Sequence, residues 1–485
     1  MIRYAFFLEI FVKLVNPGNP VQFSWLTEQR HRLDASPYLS GAYEARKILE
    51  RLRVSREPLS ELTMGHDGGI YNGPKFRRVY VTNRDHGVPF LGSTDMLEAD
   101  FGSLPLLRKK DAYQLPYLEV RPGMTLISCS GTVGRMIYVR QDMEGFWSSQ
   151  DVIKVNPDQK KIPPGYLYTY LRSCFGVPLI TSSAYGAVIK HIEPEHIAGL
   201  PVPRFGNGVE ERIHELVQEA AELRARFQAG VVAATRDLFA SAGLPELNDF
   251  AWHDQPRDLE FKVIGPSPNT LRALNFSPRA RRITEVLRSV PHRSLGDICE
   301  GGMLGRGDRF KRIDADGKYG IKLIGQRQAF WLRPEGRRII LNRSDVAKVQ
   351  VADETVLVAA RGTLGEHEVF GRSILVTGRW QKEFAFSEDF LRILSGDSTF
   401  PGAYLFAFLR SEIGFRLMRS MSAGSKQQEI IPHLCSQIPI PICTLADRER
   451  ITDTVRQAYR DRDEADNKED EALQLLDEAV REAAR

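Results

Sequence analysis

The chain has 485 residues, enough for two to four domains at roughly 100–200 residues each. Apolar residues make up 42% and charged residues 26%, which excludes wholesale disorder and the collagen-like and membrane classes. The net charge is only +4, yet basic residues cluster at Arg77-Arg78, Arg108-Lys109-Lys110, Arg279 with Arg281-Arg282, Arg306 to Arg312, and Arg333 with Arg337-Arg338. Such clusters on a balanced body fit either a polyanion-binding face or solvated surface charge.

The opening MIRYAFFLEIFVKLV carries Glu9 and Lys13 within its apolar stretch and has no small-residue cleavage site after it, so it reads as a buried strand. No apolar run reaches the ~18 residues of a spanning helix, and no membrane association is expected. Further on, β-rich runs over 124–129, 136–139 and 152–155 are separated by turn residues and lead to a short helix over 166–173. After Pro203 the residues Ile213, Val217, Ala220, Leu223, Phe227, Val231 and Leu238 recur at three- and four-residue steps, one face of a long helix.

The pattern then starts again. The string Tyr166-Leu-Tyr-Thr-Tyr-Leu-Arg-Ser173 matches Tyr404-Leu-Phe-Ala-Phe-Leu-Arg-Ser411, and the same offset of 238 maps Gly176 onto Gly414, Gly186 onto Gly424 and Pro194 onto Pro432. It also maps Leu200-Pro-Val-Pro203 onto Ile438-Pro-Ile-Pro441, and Glu211-Arg-Ile213 onto Glu449-Arg-Ile451. Upstream the register slips: Gly131-Thr-Val-Gly134 faces Gly362-Thr-Leu-Gly365, and Leu33-Asp34 with Ser36-Pro37 faces Leu274-Asn275 with Ser277-Pro278. A repeat of this period decides the architecture before any local motif does.

Second-copy strands are expected over 355–359 and 390–394, a short helix over 404–411, and after Pro441 a second long helix marked by Ile451, Val455, Ala458, Ala465, Ala472, Leu476 and Val480. Each long helix would run about 30 residues, roughly 45 Å. Their stripes can be buried against each other, against a partner chain or on their own domains, and the pseudo-twofold favours an antiparallel pair. The fold class expected is α/β: two pseudo-repeated mixed α/β domains separated by two long antiparallel helices. The boundaries read as an extension or docking strand over 1–30, a first domain over 31–205, a helix over 206–242, a Pro-rich connecting segment over 243–270, a second domain over 271–442 and a second helix over 443–485.

Catalytic signatures are missing. There is no Gly-x-x-x-x-Gly-Lys-Ser/Thr, no Gly-x-Gly-x-x-Gly after a strand, no His-Glu-x-x-His and no Gly-x-Ser-x-Gly. The Asn/Asp-Pro-Pro-Tyr/Phe string of amino-methyltransferases is absent too, and Pro157-Asp-Gln-Lys160 reads as a hairpin turn rather than a metal site. The five cysteines show no Cys-x-x-Cys spacing, so neither zinc nor a disulfide framework is expected and a reducing cytoplasm fits.

With repeat and helices placed, the chain resembles the specificity subunits of type I restriction-modification systems. The strings that carry this are Arg32-Leu-Asp34, Val88-Pro-Phe-Leu-Gly92, Ser130-Gly-Thr-Val-Gly134, Ser148-Ser149 before a strand, the 166–173 helix, and Ile192-Glu-Pro-Glu195 leading to Leu200-Pro-Val-Pro203 and a helix that starts with acidic residues. The resemblance covers nearly the whole chain. It implies two target-recognition domains that bind a bipartite, asymmetric double-stranded DNA site. The partners it implies are two DNA methyltransferase subunits, sometimes joined by a restriction translocase subunit. Catalysis and S-adenosylmethionine would belong to those partners, with no cofactor and no metal on this chain. A cytoplasmic, nucleoid-associated place in a bacterial or archaeal cell is implied as well. The chain departs from the pattern in its long opening stretch, in the connecting segment, where Leu259-Glu-Phe-Lys-Val-Ile264 is similar to Leu8-Glu-Ile-Phe-Val12, and in Arg361 where the first copy has Ser130.

Candidate DNA-binding residues follow from donor chemistry on loops. The loops after Gly92 and Gly325 differ, Ser93-Thr94-Asp95 against Gln326-Arg327-Gln328, as readers of two sequences should; glutamine pairs with adenine and arginine with guanine. Ser130, Thr132 and Arg135 in the first glycine loop face Arg361 and Thr363 in the second, where the glycines serve either close backbone approach or turn geometry alone. Lys190 and His191, with Lys426, Gln427 and Gln428, complete the set. Ile213, Val217, Leu223, Phe227, Ile451, Val455 and Leu476 are the candidate spacer or partner-docking positions on the helices. Two rival readings remain: a repeat-built adaptor of a phage-defence complex without sequence specificity, and an enzyme with an unrecognised site.

Overall fold

The computed structural model describes residues 21, 23–28, 38, 41–185, 190–256, 270, 272–315 and 319–485. The expected strand at the start, Arg32-Leu-Asp34, Ser36-Pro37, Gly186 and the Leu259 to Ile264 string lie outside these residues. Near the start, Phe23–Glu28 is helical. Two compact units divide the chain: unit 1 holds residues 1–225 and 464–485, unit 2 holds 226–463.

In unit 1 a four-stranded antiparallel sheet has the order Ile70–Tyr71, Val152–Val155, Thr125–Ser128, Met136–Tyr138. A second sheet has the order Tyr80–Val81, Leu106–Arg108, Gly87–Leu91, Trp147–Ser148, its last pair parallel. Thr125–Ser128 and Val152–Val155 are buried at every position, so both faces of these strands are covered and the polar Thr125, Ser128 and Lys154 are buried along with the apolar residues. The helix Pro164–Arg172 starts on a proline, whose missing N–H costs nothing there, and is buried throughout. Tyr166 and Tyr170 donate their hydroxyls to the carbonyls of Pro203 and Pro201. These anchor a two-stranded pair of Arg56–Pro58 and Pro201–Pro203.

Unit 2 repeats this plan. Its four-stranded antiparallel sheet runs Met303–Arg306, Phe390–Leu394, Thr355–Ala359, Ser373–Val376. The companion sheet runs Ile313–Asp314, Arg337–Ile340, Ile321–Ile324, Phe384–Phe386, again with a parallel last pair. The registers agree: Ser128 pairs with Val152 as Ala359 pairs with Phe390, and Lys154 lies between Tyr71 and Leu126 as Arg392 lies between Gly305 and Leu357. Tyr404 takes the place of Tyr166 and donates to the Pro441 carbonyl at 2.8 Å. The connecting segment contributes Trp252, whose ring takes the guanidiniums of Arg279 and Arg416, each at 5.1 Å.

The two long helices are α1 (Asn207–Ser241) and α2 (Leu445–Ala483). The start of α1 is held by the buried Glu210 carboxylate, which accepts from Arg204 and from the N–H groups of Phe205 and Gly206, negative charge placed where the helix dipole favours it. At the start of α2, Thr444 Oγ1 accepts from the Asp447 N–H at 3.2 Å, a side-chain cap for one orphan donor. Partner numbers descend along α2 as they rise along α1, so the pair is antiparallel. Within unit 1, Arg212 meets Glu471, Glu219 meets Lys468 and Arg224 meets Asp466. Within unit 2, Arg226 meets Asp461 and Asp237 meets Arg450, and a Cβ added at Gly230 would come within 2.9 Å of the Ala458 Cβ.

Apolar burial of the helices is divided between two kinds of contact. Ile213, Val217, Leu476 and Val480 join the core of unit 1 beside Tyr166 and Tyr170, while Ala220, Leu223 and Ala465 pack helix against helix. In unit 2, Tyr459 receives Phe227 and Phe406 edge-on at 5.3 and 5.4 Å. All seven positions named as spacer or docking residues, Ile213, Val217, Leu223, Phe227, Ile451, Val455 and Leu476, are buried inside this chain. A partner chain docking on these helices must therefore use their other faces.

Candidate nucleic-acid interface

In unit 1 the loop that follows Thr125–Ser128 closes on itself, since the Gly134 N–H donates to the Ser128 carbonyl at 3.0 Å. Gly131 and Gly134 have φ of +71° and +87°, a conformation that side chains resist, and a Cβ at Gly134 would come within 2.6 Å of Thr181 Cγ2. Turn geometry therefore accounts for these two glycines. Neither Gly362 nor Gly365 is among the positive-φ glycines of unit 2, and a Cβ at Gly362 would come within 2.9 Å of the Phe370 Cβ.

The fold brings the first glycine loop to the 185–191 segment. Ser130 and Tyr185 both bridge to His191, and the Gly131 N–H donates to the Lys190 carbonyl at 3.2 Å. Around them Glu193 gathers donors: His191 Nε2 at 2.8 Å, the Tyr185 hydroxyl at 3.1 Å and Asn72 Nδ2 at 3.1 Å. Lys190 is exposed, while Ser130, Arg135 and His191 are half-buried. The Thr132 hydroxyl corrects an expectation: its Oγ1 is buried without a hydrogen-bond partner rather than offered to solvent. Ser93, Thr94 and Asp95 are half-buried, and their turn is tied to itself by the Gly92 N–H donating to Asp95 Oδ2 at 3.1 Å.

Unit 2 makes the same junction from different side chains. Arg361–Gly362 pairs with Gln428–Ile430, which pairs in turn with Ser422–Gly424. Arg361 faces Glu429 where Ser130 faces His191. Gln326 corrects a second expectation, because its amide donates to the Arg361 carbonyl at 2.9 Å and accepts from the Arg361 N–H at 3.1 Å. It holds the Arg361 backbone on both sides. Gln428 corrects a third: it is buried, donates to the Gly424 and Ser425 carbonyls and accepts from Arg272. Thr363, Lys426 and Gln427 are exposed, and Arg327 and Gln328 are half-buried in the short helix Gln326–Ala329.

Several residues of these junctions escaped the sequence reading. Arg361 is held by Asp389 at 3.0 Å and Glu429 at 3.6 Å, and Glu429 also pairs with Arg306. Burial, reinforced by the neighbouring Arg361 charge, lowers the pKa of Arg306. In unit 1, Asp151 pairs with Arg78 at 3.7 Å, and Gln150 bonds to both. A signal for this was present: Asp151 and Asp389 stand 238 residues apart, the offset of the repeat.

Behind the first junction lies Lys154, fully buried, its Nζ donating to the Val152 carbonyl at 3.2 Å and facing the Tyr71 ring at 5.5 Å. Burial pulls its pKa from the usual lysine value of 10.5 down to about 7. Burial pushes the adjacent Cys129 thiol up to about 12, which argues against a reactive thiolate there. Among the described residues, no group of three or more His, Cys, Asp or Glu side chains is placed to hold a metal ion. Among the same residues no helix is long and apolar enough to cross a membrane.

Comparison with solved structures finds a type I restriction-modification system S subunit from M. genitalium, 12% identical, covering 89% of this chain and 96% of that one, with a TM-score of 0.34. A structure described as addressing complex assembly and conformational transition of the type I R-M system is 14% identical, covering 89% and 97%, with a TM-score of 0.25. The HsdS subunit from Thermoanaerobacter tengcongensis is 13% identical, covering 88% and 96%, with a TM-score of 0.25. No family model and no curated protein matches the chain.

Proposed function

We propose that this chain is the sequence-specificity subunit of a type I restriction-modification complex. Each unit reads one half of a bipartite, asymmetric double-stranded DNA site. Two DNA methyltransferase subunits, and in restricting assemblies a translocase subunit, dock on the chain and supply S-adenosylmethionine and catalysis. The observation that carries this reading is the pair of congruent junctions. Strand order and register are the same in both units, while the side chains at the junction change from Ser130 and His191 to Arg361 and Glu429. One scaffold displaying two different sets of polar side chains is what reading two half-sequences requires. A symmetric adaptor has no use for that difference. The helices α1 and α2 continue from one unit into the other and act as the spacer.

Base-resolution methylation mapping of DNA from cells that express the chain with its methyltransferase, against the methyltransferase alone, tests this. A two-part gapped motif that requires the chain is expected. Inserting or deleting four residues within 211–239 should change the gap and leave both half-sites unaltered. Affinity of the assembled complex should fall steeply with added salt, because phosphates are neutralised. No new motif with an active methyltransferase, or salt-insensitive binding, would overturn the reading.

A further inference from the structure

The two junctions share a device of which the repeat in the sequence marks only the aspartate. At one repeat position, Asp151 in unit 1 and Asp389 in unit 2, a carboxylate holds an arginine, but the arginine comes from a different element in each unit. In unit 2 it is Arg361, from the glycine loop, its Nη1 donating to Asp389 Oδ1 at 3.0 Å and its Nε facing Glu429 Oε2 at 3.6 Å. Its backbone is fixed in addition by the Gln326 amide and by the strand pairing with Glu429. In unit 1 it is Arg78, its Nη2 shared between Gln150 and Asp151 and its guanidinium over the Phe90 ring at 5.1 Å. The side chains of Arg78 and Arg361 are 26% and 25% exposed, so each is held by polar neighbours and still in part accessible.

Resting on the DNA-reading function proposed above, we infer that Arg78 and Arg361 are the guanine-reading side chains of the two half-sites, Arg361 oriented by its hydrogen bond to Asp389 and Arg78 by Gln150, which in turn bonds Asp151. An arginine whose charge is offset by carboxylates makes a weak phosphate clamp. The edge of a guanine is neutral, however, and presents O6 and N7 to a guanidinium fork. There the benefit of the carboxylate is orientation: the side chain is ordered before it binds and gives up less freedom on contact. Because the arginine enters from a different element in each unit, the guanine falls at a different place in each half-site.

The test uses the full chain assembled with its methyltransferase and duplexes carrying the mapped motif. Each guanine is replaced in turn by 7-deazaguanine, which lacks N7, and by inosine, which keeps both N7 and O6. For the unaltered complex, one 7-deazaguanine position per half-site should weaken binding on the order of 10- to 100-fold, and inosine should not. Arg361→Met should remove that sensitivity in one half-site only, and Arg78→Met in the other, because methionine keeps an unbranched stem and loses every donor to O6 and N7. Asp389→Asn should give a partial loss at the Arg361 position. Equal weakening on all duplexes, coupling of both arginines to one half-site, or a half-site without guanine overturns the inference while leaving the gapped motif standing. Absence of any gapped motif overturns the DNA-reading function itself, and this inference with it.

Discussion

Lys154 in unit 1 and Arg392 in unit 2 occupy one strand position in one register, and both are buried. The consequences differ. A lysine surrounded by apolar groups can give up its proton, and burial takes Lys154 down to about 7. Burial lowers the pKa of Arg392 as well, but a guanidinium stays charged in proteins. The same contrast recurs in the helix pair. Arg224 and Arg462 stand one repeat apart. Arg224 is locked between Asp466 and Glu469, whereas Arg462 stacks on Trp380 at 4.2 Å and on Tyr459 at 4.6 Å and bonds Asp463. Duplicated backbones have thus kept their hydrogen-bond ladders and solved each buried charge separately.

The sharpest way to break that comparison is at Glu469, which is buried and pairs with both Arg172 and Arg224 while accepting from the Tyr168 hydroxyl at 3.4 Å. Glu469→Ala removes the carboxylate that Arg172 and Arg224 share, leaving Arg224 with Asp466 and Arg172 with the Tyr168 hydroxyl, and should destabilise unit 1 by ~3–5 kcal/mol. Arg462→Leu removes a charge together with its stacking and should cost only ~1–2 kcal/mol. Urea denaturation of the two variants checks the order, and equal losses would contradict it.

Lys154 gives a pH signature to one unit alone. Its folded pKa lies below the unfolded one, so between about 7 and 10.5 the unfolded chain holds a proton that the folded chain lacks. Stability of unit 1 should therefore rise with pH across that window, by up to ~1.4 kcal/mol per pH unit. Lys154→Met should flatten the rise and Arg392→Met should leave it intact. Denaturation midpoints measured at pH 7, 8 and 9 decide this.

The smallest effect separates the loops that follow Gly92 and Gly325. Gln326→Ala leaves the Arg361 N–H and carbonyl without their amide partner and should cost ~1–3 kcal/mol. Ser93→Ala, at the corresponding place in unit 1, should stay within ~0.5 kcal/mol. Thermal denaturation of both proteins reads the difference, and a silent Gln326→Ala would return Gln326 to the group of residues open to a ligand.

Much of this protein was legible as sequence. The offset between Tyr166 and Tyr404 made the second half a copy of the first, and the three- and four-residue spacing from Ile213 to Leu238 marked α1 before any contact was known. The runs over 125–128, 152–155, 355–359 and 390–394 are strands where β-rich composition put them. These signals are readable because periodicity and turn chemistry are local, set by residues within a few positions of one another. The ends of polar side chains are not local. Gln326 is spent on a backbone 35 residues away, Arg78 finds Asp151 across two sheets of strands, and Glu469 collects arginines from two other helices. Which polar group meets which is decided at the scale of a hydrogen bond, a few tenths of an ångström, and only the folded chain brings such groups to that distance. The sequence alone therefore determined that there are two similar units and two long helices; the tertiary structure decided which polar partners hold the arginines of each unit.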